Sequence, residues 1–116
     1  MEKLPYHKMD KTTKQGRTVA IVAYLTIVGC LIAITMNIEP KNPFSRFHIR
    51  QAFGIHIFYH VLAIALSYLG FAWASIALFF LYLLIWGFGF INAMNGKIKV
   101  LPVVGQQFQK WFTFIQ

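Results

Sequence analysis

The stretch NPFSRFHIRQAFGIHIFYH, residues 42–60, carries Arg46, His48, Arg50, His56 and His60 and no acidic residue. Five groups able to bear positive charge thus stand where the chain enters one of its most apolar parts. On a helix of 3.6 residues per turn with Arg46 at zero, Arg50 falls at about 40°, His60 at about 320° and His56 at about 280°. Both arginines and two histidines therefore share one stripe. His48 falls nearly opposite, at about 200°, and Gln51 at about 140°.

Three chemistries fit these residues. The planar arginine fork matches a phosphate or carboxylate, so Arg46 and Arg50, with His48, Gln51, His56 and His60 beside or below them, form a candidate site for an anionic lipid or a partner. His56 and His60, four residues apart, could share a metal ion. A third ligand is missing, because the only carboxylates, Glu2, Asp10 and Glu39, lie outside the apolar runs. In the third reading the arginines snorkel to lipid phosphates or helix-end carbonyls, and neutral histidines hydrogen-bond within a bundle. Against it stands the rule that ionisable groups inside a membrane mark function. The expectation is a non-catalytic protein without metal or cofactor. No paired carboxylates or His–Asp couple can form within an apolar run, and Ser45 and Ser67 lack a base.

The elements that must position these residues are written in the charge distribution. Only 12% of the 116 residues are charged and 58% are hydrophobic, whereas soluble domains carry about a quarter charged residues. Thr18 to Ile38 contains no Asp, Glu, Lys or Arg, and neither does Gln51 to Gly96. Uncharged apolar runs of about 18 residues or more read as membrane spans. The first is too long for a signal-peptide core and is followed by no small-residue cleavage site, so it is expected to be retained. The net charge of +8 flanks the apolar runs, which fits anionic headgroups and not nucleic acid. A single cysteine, Cys30, excludes an intrachain disulfide.

This patterning predicts an all-α membrane protein with three transmembrane helices and a C-terminal amphipathic interfacial helix. A basic, flexible tail over 1–17 precedes a membrane domain over 18–116. Its spans are about 18–36, 43–67 and 71–94, and its interfacial helix about 101–115. Pro40 and Pro43 stop the first helix, Asn42 caps the second, and Gly70 turns the chain between the second and third. Leu101, Val104, Phe108, Trp111, Phe112 and Ile115 share one face of the last helix. With three spans, five basic residues on one side oppose six on the other, so orientation stays open. Gly29 with Ala33, Gly70 with Ala74, and Gly89 with Ala93 are small residues four apart, spaced for close helix packing.

NPFSRFHIRQAFG after the first apolar run and GFGFINAMNGKIKVLPVVGQQFQKWF after the last resemble a family of small bacterial membrane proteins of unknown function. That family is related to the chloroplast import component Tic-twenty. The resemblance covers about 18–116, and its motif positions are Phe47, His48, Arg50 and Gln51, then Gly96, Lys97, Pro102 and Gly105. It implies a compact helical protein of the bacterial cytoplasmic membrane and supplies no catalytic residue. The expected function is an accessory or packing subunit whose basic helix entrance meets anionic lipid or a membrane-protein partner, which includes a second copy of itself. The alternative is a subunit of a transport or protein-translocation complex, like the plastid relative.

Overall fold

A computed structural model describes residues 11–39 and 41–115. Residues 1–10 of the expected tail and Pro40 lie outside them. The described residues form five helices and no strand: α1 (Lys11–Leu25), α2 (Ile27–Met36), α3 (Pro43–Leu69), α4 (Ala72–Met94) and α5 (Gly105–Trp111). α3 and α4 are long and apolar enough to cross a membrane.

The first apolar run is not one helix. It breaks at Thr26, whose backbone is extended (φ −156°, ψ 174°) and whose hydroxyl accepts a hydrogen bond from the Gly29 amide at 3.0 Å. Thr26 is thus an N-cap inside an apolar sequence, a role threonine takes readily. α2 then folds back along α1, and both pack on α3. Gly16 meets Ser45 and Ala23 meets His56, so α1 runs parallel to α3. Cys30 lies beside Ile49 and Asn37 beside Asn42, so α2 runs antiparallel to it. The turn needs Gly29, where a Cβ would lie 2.5 Å from the Val22 carbonyl oxygen. The expected flexible tail also differs, since residues 11–17 are the opening turns of α1.

α3 begins where the sequence signals it. Asn42 accepts a hydrogen bond from the Ser45 amide at 3.0 Å, and Pro43 occupies the first turn, where its missing N–H has no partner to lose. It ends at Gly70 in the left-handed region (φ 78°), with the Phe71 amide donating to the Leu66 carbonyl. α4 returns antiparallel, burying only Gly89, Asn92 and Ala93. The exposed apolar surface of α4, from Trp73 through Phe80 and Leu84 to Ile91, is unlike a water-facing one.

The C-terminal segment also departs from expectation. Its helix covers 105–111, and its apolar face turns inward onto α3. Leu101, Phe108 and Ile115 are buried and Val104 and Phe112 are half-buried, leaving Trp111 exposed. Phe108 lies so close over Gly54 that a Cβ there would stand 2.5 Å from its ring. The periodicity was that of an amphipathic helix, but the surface it covers belongs to the protein.

Candidate functional site

The buried face of α3 includes Phe44, Ser45, His48, Ile49, Gln51, Ala52, Ile55 and His56. It centres near the angle predicted for His48, about 200° from Arg46. The stripe expected to hold the arginines together with His56 and His60 is therefore mostly the outer side of the helix. His56 lies at the edge of the core and is 0% exposed, whereas His60 is exposed. His48 and Gln51, placed away from the stripe by sequence, are buried at the centre.

Tyr24, His48, Gln51 and His56 are each fully enclosed, so their partners must be internal. The His48 Nε2–H donates to the Lys97 carbonyl oxygen at 2.8 Å. A carbonyl only accepts, which fixes the tautomer and leaves Nδ1 to accept from the Tyr24 hydroxyl at 2.8 Å. The Tyr24 oxygen accepts in turn from the Gln51 amide at 3.2 Å, and the Gln51 carbonyl accepts from the Leu101 backbone N–H at 2.8 Å. Two helices, α1 and α3, and the 97–101 connection are thereby tied through one residue chain.

The second histidine completes a helix end. Breaking the first run at Thr26 leaves the last carbonyls of α1 without helical donors. The His56 Nε2–H donates to the Ala23 carbonyl at 3.1 Å, and the Trp86 indole N–H donates to the Tyr24 carbonyl. Nδ1 of His56 accepts from the Tyr82 hydroxyl at 3.1 Å, and Tyr82 stacks on Tyr59 with ring centroids 4.2 Å apart. The His60 Nδ1–H donates to the His56 carbonyl at 2.7 Å, a bond within its own helix. His56 and His60 do not converge on a common point, and no group of three potential metal ligands occurs among the described residues.

The arginines split in the same way. The Arg50 Nε–H donates to the Ile115 carbonyl at 3.0 Å, and an Nη2–H reaches the Thr113 carbonyl at 3.5 Å. Arg50 thus straps the C-terminal residues to α3. Arg46, half-exposed, has no hydrogen-bond partner among the described residues. Arg17, part of the expected tail, donates to the Met94 carbonyl at 3.0 Å and caps the end of α4. The Gln109 side-chain amide donates to the Phe47 carbonyl at 2.8 Å, tying α5 to the opening turns of α3. No buried side-chain nitrogen or oxygen lacks a partner among the described residues.

The small residues act at close approaches. Gly29 faces the α1 backbone, and Gly89 faces the Tyr24 ring, which a Cβ would approach to 2.5 Å. Ala33 and Ala93 are 0% exposed beside them. Gly70 is a helix cap with open space around it, not a packing contact. Gly54 and Gly16 are further close approaches that small-residue spacing does not signal: Gly54 lies under the Phe108 ring and Gly16 against Asn42 and Ser45.

No protein-family model, curated protein or solved structure matches this chain.

Proposed function

We propose that the protein is a small non-catalytic subunit of a bacterial cytoplasmic membrane, whose polar cluster is internal and whose outward chemistry is a basic rim. The observation that carries this reading is the saturation of the polar cluster. Every buried side-chain nitrogen and oxygen among the described residues has a hydrogen-bond partner in the protein's own backbone or side chains. What remains for an outside partner is the apolar flank of α3 and α4, suited to acyl chains or another membrane helix, and the charges at one end. Arg46 is the best placed of these, since Arg50 already holds Thr113 and Ile115. α5 lies near the interface, with Trp111 and Phe114 exposed beside it.

Native mass spectrometry of the protein released from membranes of mixed phosphatidylglycerol and phosphatidylcholine tests the rim. Preferential retention of phosphatidylglycerol, reduced by Arg46→Ala with Lys99→Ala, is the expected result. Equal retention of both lipids, unchanged in the double variant, would remove the lipid role. A second reading, a subunit of a translocation complex, is favoured by the motif resemblance at residues 47–51 and 96–105. It predicts a defined oligomer or stoichiometric protein partner in the same spectrum.

A further inference from the structure

The ends of the helices are not distributed as three spans would place them. The Ser45 hydroxyl donates to the Gly16 carbonyl at 2.9 Å, joining the early part of α1 to the start of α3. The Asn42 backbone N–H donates to the Asn37 side chain at 3.0 Å, joining the end of α2 to the same point. Arg17 reaches Met94 and His48 reaches Lys97, bringing the end of α4 there as well. The start of α1, the end of α2, the start of α3 and the end of α4 therefore share one end of the bundle.

Thr26 lies at the other end of the α1–α2 hairpin, which is not the other end of the bundle. From Arg17 to Thr26 is nine residues, about 14 Å of helix, and α2 returns over ten residues, about 15 Å. From Ser45, level with Gly16, to Leu69 α3 continues for 24 residues, about 36 Å, enough to cross the roughly 30 Å hydrocarbon core. The hairpin thus reaches less than half as far as α3. Apolar helices of ten to fourteen residues are the length of re-entrant segments, not of spans. The hairpin also meets the condition for broken backbone at that depth, because His56 and Trp86 supply donors to the carbonyls of Ala23 and Tyr24.

Charge follows the same division. Every Lys and Arg among the described residues belongs to the half of the bundle holding these helix ends: Lys11, Lys14 and Arg17 on α1, Lys41, Arg46 and Arg50 around the start of α3, and Lys97, Lys99 and Lys110 after α4. The opposite end, Ser67 to Trp73, has no charged residue. The balance of five against six follows only from sending the first run across the membrane.

Resting on the membrane reading above, we infer that the α1–α2 hairpin is re-entrant. It enters and leaves through the cationic face, only α3 and α4 cross, and that face lies on the anionic headgroups of the cytoplasmic leaflet. The side follows from the excess of Lys and Arg in cytoplasmic segments. Oxygen-rich phosphate headgroups are the partner this face fits; the far turn, with Tyr68 and Trp73 exposed, fits an uncharged interface.

Single cysteines at three exposed positions test it: Lys14→Cys, Glu39→Cys and Tyr68→Cys. Cys30 is buried, and the unsubstituted protein measures its background. A membrane-impermeant maleimide is applied to spheroplasts and to inverted vesicles. Labelling of residues 14 and 39 only in inverted vesicles, and of residue 68 only in spheroplasts, is expected. Three spans would put 14 and 68 together and 39 opposite, which would overturn the inference while leaving membrane insertion intact. Residues 14 and 39 labelling together from the outside would overturn the assigned leaflet. Extraction of the protein by alkaline carbonate, with all three positions labelled alike, would remove the membrane reading and the inference with it.

Discussion

Replacing His56 by alanine separates a structural histidine from a ligand. The substitution removes the donor to the Ala23 carbonyl and the acceptor of the Tyr82 hydroxyl, both at 3.1 Å. Hydrogen bonds inside membranes average about 0.6 kcal/mol and reach about 1.7, so two amount to about 1–3 kcal/mol. The void left by the imidazole adds about 1 kcal/mol. The total, about 2–4 kcal/mol, is roughly a 30- to 700-fold loss in the folding equilibrium. His60→Ala removes one bond from an exposed ring to a carbonyl already serving its own helix, and should cost about 0.5 kcal/mol or less. His56→Gln keeps an N–H of similar reach and should recover a good part of the loss. Reversible unfolding by dodecyl sulfate in mixed micelles, followed by tryptophan fluorescence, reads all three. Were the pair a shared ligand site, the two alanine variants would behave alike. Equal effects of His56→Ala and His60→Ala, or no effect of His56→Ala, would refute the reasoning.

Further outcomes follow from close contacts. Gly29→Ala should destabilise by about 1–3 kcal/mol, because its Cβ meets the rigid Val22 carbonyl, whereas Gly87→Ala, with nothing within 4 Å, should be neutral or mildly stabilising in the same assay. Gly54→Ala should displace Phe108 and loosen α5, which limited proteolysis across residues 97–104 would show as faster cutting. Arg50→Ala should free residues 112–115 and speed their removal by carboxypeptidase. Arg50→Lys should rescue that only in part, since an ammonium cannot span the two carbonyls as the guanidinium does.

The long elements were legible because their signals are local. Asn42-Pro43 opens α3 and Gly70 closes it, and the uncharged run 51–96 has to fold back because it exceeds the bilayer twice over. The break at Thr26 was not legible in the same way. Threonine in an apolar run usually bonds back to its own helix, as Thr35 does to the Ile32 carbonyl, and only tertiary contact with α3 makes it a cap. That one turn makes two helices, α1 and α2, of what the sequence presents as one. The helical wheel gives the angle of each residue but could not say which side faces the core. Buried apolar residues such as Ile49, Ala52 and Ile55 decide that, and they place His48 inside and His60 outside. The hydrogen bonds of Arg17 and Gln109 were not legible, since their acceptors lie 77 and 62 residues away.

The most direct test of the central claim, that the buried histidines serve the fold and not a ligand, is nitrogen-15 solid-state NMR of histidine-labelled protein in bilayers, with and without zinc. The account predicts that His48 and His56 are neutral, protonated at Nε2 and bare at Nδ1, with signals that zinc leaves unchanged. A cationic or Nδ1-protonated ring at either position, or zinc-induced shifts shared by His56 and His60, would contradict it.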